Sequence, residues 1–287
     1  MPALIDLRRR IKSVRNTQQI TQAMKTVATA KFKKAQQAVL EARPYWHSSP
    51  DFLSDVVYWA ERESHPLLVQ RKEKKIEGVV ITSDKGLCGA FNSNLLERAL
   101  SFFEDKSSHS QVNLVLIGKK ANVFFKRQRF NIDRIYTEKI QNLTLSDLID
   151  LAQFLMRLYI FHKTDAVYVA YNEFKSILAP KVTITKLLPF CLPEREAQEV
   201  LLPDWEPKAG PILNVLLPLY IEKQICHFFY ESSAAEQAAR MMAMDNATKN
   251  AEELIGDLTL VLNKIRQASI TKELLEIMTA VEALEKR

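Results

Sequence analysis

The stretch Met244–Ala268, MDNATKNAEELIGDLTLVLNKIRQA, decides the fold. Its apolar residues recur at alternating steps of three and four, in the series Met244, Ala247, Ala251, Leu254, Leu258, Val261, Ile265 and Ala268. This is the a/d spacing of a helix that packs along another helix. The segment 219–287 contains no proline and only Gly256 as a glycine, so the helix could extend for roughly 100 Å. A helix of that length cannot bury itself in a small domain, which predicts a rod with further structure attached.

A second long helix is predicted between Pro2 and Pro44, at the other end of the chain. Its series of three and four is Leu4, Leu7, Ile11, Val14, Gln18, Thr21, Lys25, Ala28, Phe32, Ala35, Val39 and Ala42, with three consecutive polar positions in the middle. Two such stripes predict an antiparallel pair of helices. Two helices of an ordinary bundle are the alternative, although their length argues against it.

The polar positions also predict how the two helices are aligned. Extending the C-terminal series backward gives a polar stretch centred on Gln237, flanked by Ser233 and Arg240. A polar residue in a helix seam costs least opposite another polar residue. If Thr21 therefore faces Gln237, facing positions sum to about 258, give or take one helical turn, and residues from about 262 onward project as a single helix of roughly 40 Å. That segment carries a shifted apolar stripe, Ile270, Leu274, Ile277, Val281 and Leu284, which would need cover from other subunits.

Positive charge is concentrated at the N-terminus. The chain of 287 residues has a net charge of +6, but residues 1–43 alone carry +8, which leaves −2 for the rest. A basic rod beside a nearly neutral body predicts an acidic partner surface. Nucleic acid would also suit this charge, but Phe32 is the only aromatic residue of the segment, so bases would find no stacking platform. The alternative is that these cations form the solvated face of a helix.

The sequence favours a cytosolic chain without a metal site or cofactor. No apolar run approaches the 18 to 20 residues that span a bilayer, and Arg8–Arg10 interrupts any signal peptide. Contact with a membrane is therefore expected only through partners. Three distant cysteines, Cys88, Cys191 and Cys226, are expected to be reduced, and the five histidines lack the spacing of metal ligands.

The middle of the chain predicts a mostly parallel sheet covered by helices. Short β-branched runs alternate with helical patterns; the predicted strands are 77–82, 112–117, 132–136, 166–171 and 182–188, and the helices are 92–103, 119–126 and 145–161, the last capped by Thr144 or Ser146.

The predicted fold class is therefore α/β plus coiled coil, with a Rossmann-like central domain between long antiparallel N- and C-terminal helices. We expect a helix over 1–63 that kinks or restarts near 44–50, an α/β domain over 76–190, an irregular return over 191–211 and a second long helix over 212–287.

One glycine-containing turn could suggest an enzyme. Thr82–Asn92, TSDKGLCGAFN, follows a strand and places Gly86 and Gly89 before a helix. It lacks the third glycine of a dinucleotide fingerprint and the G-K-[ST] ending of a phosphate loop. Because no nucleophile–base pair is visible either, the residues assign no catalytic site.

Three stretches carry a resemblance to a known family. They are Leu7–Ala28, LRRRIKSVRNTQQITQAMKTVA; Ile81–Asn92, with the core SDKGLCGAFN; and 231–273, with ARMMAMDNATKN and NKIRQASITKE. In order and spacing the whole chain resembles the gamma subunit of F-type ATP synthases. It departs from the family at Ala280-Val281, where a Gly-Ala pair is usual, and it lacks the paired cysteines of the chloroplast form, so a bacterial type is expected.

The resemblance implies the central-stalk rotor of the synthase. The paired helices would turn inside a ring of alternating alpha and beta subunits, and the α/β domain would sit on the epsilon subunit and the membrane c-ring. Rotation would couple transmembrane proton flow to ATP synthesis or hydrolysis at the beta-subunit sites, and this chain, peripheral on the cytoplasmic face of the plasma membrane, would have no catalytic site or cofactor.

The resemblance also assigns candidate site residues. Met24 and Lys25 would face an acidic loop of a beta subunit. The C-terminal contact regions would contain Arg240, Gln267, Thr271 and Glu273. The signature turn would be formed by Asp84, Lys85, Gly86 and Gly89.

Two other functions stay open at this point. A basic coiled-coil protein that binds nucleic acid would explain the charge of the N-terminal helix. A small nucleotide-binding α/β enzyme would need Lys85 and the glycine turn to hold a phosphate.

Overall fold

A computed structural model describes residues 2–59, 65–137, 143–176, 180–190 and 209–285. The elements in chain order are α1 (Pro2–Trp59), a 3₁₀ turn (Pro66–Leu68), β1 (Lys75–Ile81), α2 (Phe91–Ser107), β2 (Gln111–Ile117), α3 (Lys119–Phe125), β3 (Asn131–Tyr136), α4 (Leu145–Ile160), β4 (Ala166–Glu173), β5 (Lys181–Leu188) and α5 (Ala209–Glu285). The chain forms two compact units. The helical unit consists of Met1–Ala28 and Met241–Arg287, and the sheet unit consists of Thr29–Arg240.

In the helical unit, the burial of the α1 side chains confirms the apolar stripe that the sequence predicts. The predicted positions Leu4, Leu7, Ile11, Val14 and Gln18 are half-buried, while the positions between them are exposed. Thr21 and Ala28 are fully buried on the same face. The three-four spacing therefore identified the packing face of this helix correctly.

The stripe predicted on α5 is wrong at alternate positions. Leu254 and Val261 are 46% and 44% exposed, whereas their neighbours Ile255 and Leu262 are half-buried. From Met244 the buried face steps by four and then three, not by three and then four. Both frames fit the sequence, because at these positions two apolar residues are adjacent and either could serve the seam.

The predicted alignment of the helices is also wrong. The hydroxyl oxygens of Thr21 and Thr248 are 2.8 Å apart, and Lys25 Nζ lies 2.6 Å from Asp245 Oδ1. Facing positions thus sum to 269 or 270 and not to about 258. Polar seam residues do face each other, as expected. The predicted polar partner was the stretch around Gln237, however, and this stretch is buried in the sheet unit.

The alignment places the end of α5 beyond the first described residues of α1. With facing positions that sum to 269, the first residues of α1 lie opposite about residue 267. The α5 residues from 270 to 281 are all exposed. The projecting segment described by the structure, 268–285, is about 27 Å long at 1.5 Å per residue, shorter than predicted. We call it the α5 tip.

In the sheet unit, five strands form one sheet in the order β3-β2-β1-β4-β5. The first four strands are parallel, and β5 pairs with β4 in antiparallel fashion. All five predicted strands and the three predicted helices between them are present. Thr144 caps α4 in a capping box with Asp147. The α/β prediction is confirmed, with β1, β2 and β4 largely buried and β3 alternating between exposed and half-buried residues.

Helices cover both faces of the sheet. On one face, β1 residues Val79 and Ile81 lie in a core with side chains of α4 and of the long helices, among them Val56 and Ile221. On the other face, Ile76 and its neighbours pack with α2. The long helices therefore supply part of the core of the sheet unit. The domain bounds expected from the sequence stay a prediction.

The prolines do not break the long helices. Helix α1 continues through Pro44 and Pro50, so the expected restart there is wrong, while a kink stays a prediction. Helix α5 begins at Ala209 and contains Pro218, so it starts before residue 212. The remainder of the expected irregular return, 191–208, lies outside the described residues.

One carboxyl group is buried at the amino-terminal end of β1. Glu77 is 2% exposed, and its Oε1 atom has no hydrogen-bond partner among the residues that the structure describes. Removal from water raises the pKa of this carboxyl to about 8, and the nearby charge of Asp133 acts in the same direction. Glu77 is therefore a neutral acid in the folded chain at neutral pH.

We predict that Glu77→Gln removes an alkaline loss of stability. The folded chain holds this proton up to about pH 8, whereas the unfolded chain releases it near 4.5. Stability therefore falls as pH rises between these values, by about 2–3 kcal/mol from pH 6 to pH 9. Urea unfolding at both pH values should show this loss in the natural chain and a smaller one in the variant. The same pH dependence in both proteins would contradict the assignment.

Candidate functional site

The first candidate site is the polar layer of the helical unit, formed by Thr21, Lys25, Asp245, Thr248 and Lys249. Asp245 accepts from Lys25 at 2.6 Å and lies 2.9 Å from the ammonium of Lys249, one helical turn further along α5. These two ammonium groups, with Lys25 contributing most, lower the pKa of the Asp245 carboxyl to about 2. The carboxylate is therefore ionised throughout the physiological range of pH.

The threonines of the layer also contact their own helices. Thr21 Oγ1 is 3.0 Å from the carbonyl of Gln18, and Thr248 Oγ1 is 2.8 Å from that of Met244. Each hydroxyl has a single proton, so one threonine donates to the facing hydroxyl while the other donates to the carbonyl of its own helix. Both hydroxyls therefore have a hydrogen-bond partner at a seam position that looks unfavourable for an apolar interface.

The predicted contact residues Met24 and Lys25 lie at this layer. Lys25 is held by Asp245, yet 36% of its side chain remains exposed. Met24 is half-buried. The positive charge of Lys25, which was expected to face an acidic partner, is thus partly neutralised by Asp245 within the chain.

The remaining C-terminal contact residues lie at the α5 tip or just before it. Gln267, Thr271 and Glu273 are exposed, and the Thr271 hydroxyl donates to the carbonyl of Gln267 at 3.0 Å. On the same segment the structure confirms the exposure of the shifted apolar stripe at Ile270, Leu274, Ile277 and Val281. The side chain of Leu284 lies outside the described residues.

The second candidate site is the signature turn of the sheet unit, residues 83–92. Asp84 accepts from the backbone N–H of Lys119 at 2.9 Å, and the Ser83 hydroxyl donates to the carbonyl of Lys85 at 2.7 Å. At the start of α2, Asn92 accepts from the N–H of Ser83 and lies 3.1 Å from the sulfur of Cys88. Burial raises the pKa of the Cys88 thiol, which keeps it protonated and inert.

The turn bulges outward at its centre. Leu87 has φ +63° and Gly89 has φ +58°. Leu87 is 62% exposed, and Lys85 is exposed beside it. Gly86 has room for a side chain, since an added Cβ atom would lie 3.8 Å from Lys120. The glycine that the backbone requires is therefore Gly89, in the left-handed region.

Arg240 packs beneath the turn. It is 7% exposed and lies 2.7 Å from Glu236, one turn earlier on α5. Its other terminal nitrogen is 3.4 Å from the carbonyl oxygens of both Lys85 and Gly86. The structure thus places Arg240, predicted as a subunit contact, in an interaction within the chain.

The geometry of the turn differs from that of a phosphate site. Phosphate loops direct backbone N–H groups at an anion, whereas here two carbonyl oxygens face the guanidinium of Arg240. The described residues contain no cluster of His, Cys, Asp or Glu that could hold a metal ion. None of the helices described is long and apolar enough to cross a membrane.

Four residues of these sites were not identified from the sequence: Glu236, Asp245, Lys249 and Thr248. A signal was present for the first three, because Glu236–Arg240 and Asp245–Lys249 are charge pairs at i, i+4 on one helix. For Thr248 the only signal was the second possible seam of α5, the one that steps by four and then three from Met244.

Comparison with known proteins identifies the family. The family model described as ATP synthase matches residues 3–284. The ATP synthase gamma chain of Pelotomaculum thermopropionicum is 45% identical over 286 residues, which covers 99% of this chain and all of that one. The chain belongs to the ATP synthase gamma chain family. The gamma chain of Chlorobaculum parvum, 39% identical over 99% of this chain, agrees with this membership.

Solved structures agree with the fold of a gamma chain. The central stalk and c-ring structure of the Tetrahymena thermophila mitochondrial ATP synthase contains a chain with a TM-score of 0.63 and 26% identity, covering 79% of this chain and 99% of that one. A chain of the Euglena gracilis mitochondrial enzyme has a TM-score of 0.67 at 17% identity, covering 99% of this chain and 95% of that one. At that identity the second likeness supports the fold alone.

We predict that the purified chain neither binds nor hydrolyses ATP. The signature turn presents carbonyl oxygens to a cation, and its lysine, Lys85, has no phosphate loop around it. Calorimetric titration with MgATP should give no binding heat, and a phosphate-release assay should give no turnover. Turnover that Lys85→Ala abolishes would show that the turn is a nucleotide site after all.

Proposed function

We propose that this chain, a central-stalk gamma subunit of the F-type ATP synthase, transmits torque and catalyses no reaction itself. Transmembrane proton flow would turn it, and its rotation would drive the beta-subunit sites through their states of ATP synthesis or hydrolysis, a coupling of conformational states. The match to gamma chains over nearly the full length, at 45% identity, carries this proposal.

The helical unit supports the mechanical part of the proposal. The α5 tip exposes an apolar stripe that α1 does not cover, and an exposed apolar stripe of this kind marks a surface that binds another protein. We propose that the ring of alpha and beta subunits surrounds the tip and that Gln267, Thr271 and Glu273 contact it there. Met24 and Lys25 would meet an acidic loop of a beta subunit, for which the +8 charge of residues 1–43 is suited.

The remaining assignments follow from the same proposal. Residues 1–63 and 212–287 would form the shaft, and 76–190 the domain that contacts the epsilon subunit and the c-ring. The subunit would be peripheral on the cytoplasmic face of the bacterial plasma membrane, bound only through these partners, without cofactor and without nucleic acid.

Co-purification tests the function directly. A tagged form of this chain, expressed in its own host and solubilised in mild detergent, should bring down the alpha, beta, epsilon and c subunits in a complex that hydrolyses ATP. Recovery of nucleic acid in a salt-sensitive complex without these subunits would instead favour a nucleic-acid-binding coiled coil.

We predict that Met24→Lys impairs coupling more than folding. Met24 lies off the buried stripe beside Lys25, so a second ammonium there would attract an acidic partner loop by roughly 1–4 kcal/mol and resist rotation. The measurement is ATP-driven ion pumping relative to ATP hydrolysis in membranes, and this ratio should fall.

Gln22→Lys is the matched control, because it adds the same charge at an exposed position two residues away, on the other side of the helix. It should leave the ratio of pumping to hydrolysis near that of the natural chain. Equal loss of pumping and hydrolysis in Met24→Lys, or loss of neither, would count against a partner at this position.

A further inference from the structure

The centre of the signature turn has a backbone that must be held in place. Leu87 adopts φ +63°, a left-handed conformation that is uncommon and unfavourable for a residue with a bulky side chain. Its side chain is exposed, so packing of that side chain does not offset this cost. Other contacts must therefore maintain the conformation.

Arg240 contacts the two residues directly before this position. The carbonyl groups of Lys85 and Gly86 directly precede Leu87, and one guanidinium nitrogen lies 3.4 Å from both oxygens. A second guanidinium nitrogen lies 2.7 Å from Glu236. The planar guanidinium directs two nitrogens at these partners at once, one at the carboxylate and one at the two carbonyls, whereas the single nitrogen of a lysine at this position would lose part of these contacts.

The surface of α5 brings the turn close to the helix. Ala234, Ala235 and Ala238 are buried in one cluster with Cys88 and Phe91, which lie in the turn and at the start of α2. Alanine side chains leave the turn near enough for Arg240 to reach its backbone. The turn therefore packs on the alanine face of α5, and the Glu236–Arg240 pair lies on the same stretch of the helix.

The burial of this pair is not explained by stability alone. Burial raises the pKa of the Glu236 carboxyl, and Arg240 acts against that shift. Buried ion pairs often add little net stability compared with apolar residues, but they impose one geometry. The pair is thus better suited to fix a position than to strengthen the fold.

We propose that Glu236 and Arg240 form a positioning pair that fixes the signature turn on α5, so that the sheet and the long helix turn together. The inference rests on the proposed rotor function and assigns Arg240 a role within the chain in place of a subunit contact. Loss of the pair would leave a turn that moves relative to the helix, and part of the torque would be lost in that movement.

Hydrogen exchange of the full chain tests the positioning directly. Arg240→Met should raise the amide exchange rate of the peptide 84–90 by about tenfold, while peptides from α2 and from α5 near residue 225 keep their rates. Arg240→Lys should give an intermediate increase, because it retains the charge but not the fork. Arg266→Met, which removes an exposed arginine of the same helix, is the matched control and should change nothing in the turn.

The same variants in membranes test the consequence for coupling. The ratio of ion pumping to ATP hydrolysis should fall in the order natural chain, Arg240→Lys, Arg240→Met. If Arg240→Met does not fold, Glu236→Gln keeps the volume and removes the charge that orients Arg240, and it should show the same faster exchange and lower ratio.

Three results would overturn the proposal. A lower ratio with unchanged exchange at 84–90 would make Arg240 a contact to a partner. Faster exchange with an unchanged ratio would make the pair merely structural. No change in either would show that other contacts fix the turn. Failure of the rotor function itself would be recognised separately, because the natural chain would then assemble no coupled complex while the exchange result still stood.

Discussion

The arrangement of the helical unit depends on one constraint, which is that polar groups inside a helix–helix seam must find partners. Thr21 meets Thr248 and Lys25 meets Asp245, at 2.8 and 2.6 Å. A shift of one helical turn would leave a hydroxyl or a charge opposite an apolar side chain. The layer therefore fixes the alignment of the two helices. This alignment determines which residue of α5 lies opposite the start of α1, and so which residues of the α5 tip stay exposed to partners.

The same constraint operates in the sheet unit with a different result. Arg240 and Glu236 are buried there, and they satisfy each other and the carbonyl oxygens of the signature turn. In one unit polar pairing aligns two helices, and in the other it joins a helix to a turn of the sheet. A rotor can transmit torque only if its parts keep their relative positions. Both sets of polar contacts of α5 are suited to hold such positions.

Much of this fold could be predicted from the sequence, and the failures have a physical cause. The strands and the α1 stripe were clear because buried and exposed positions differ in polarity there. On α5, adjacent apolar pairs such as Leu254 and Ile255 permit two frames, and spacing alone cannot choose between them. The alignment failed because two polar stretches of α5 could face Thr21, and only tertiary packing shows that the sheet unit buries one of them. The candidate site residues came from resemblance, and the resemblance could not show that Arg240 contacts Glu236 and the carbonyl groups of Lys85 and Gly86.

Disulfide trapping in the full chain tests the alignment most directly. In a chain whose native cysteines are replaced by alanine, Thr21→Cys combined with Thr248→Cys should cross-link rapidly under mild oxidation, because the two hydroxyls are 2.8 Å apart. Leu7→Cys combined with Leu262→Cys should also react. Thr21→Cys paired with Met244→Cys or Ala251→Cys should react far more slowly. Preferential cross-linking of Leu7→Cys to Val281→Cys, which would make the helix ends flush, would contradict this account.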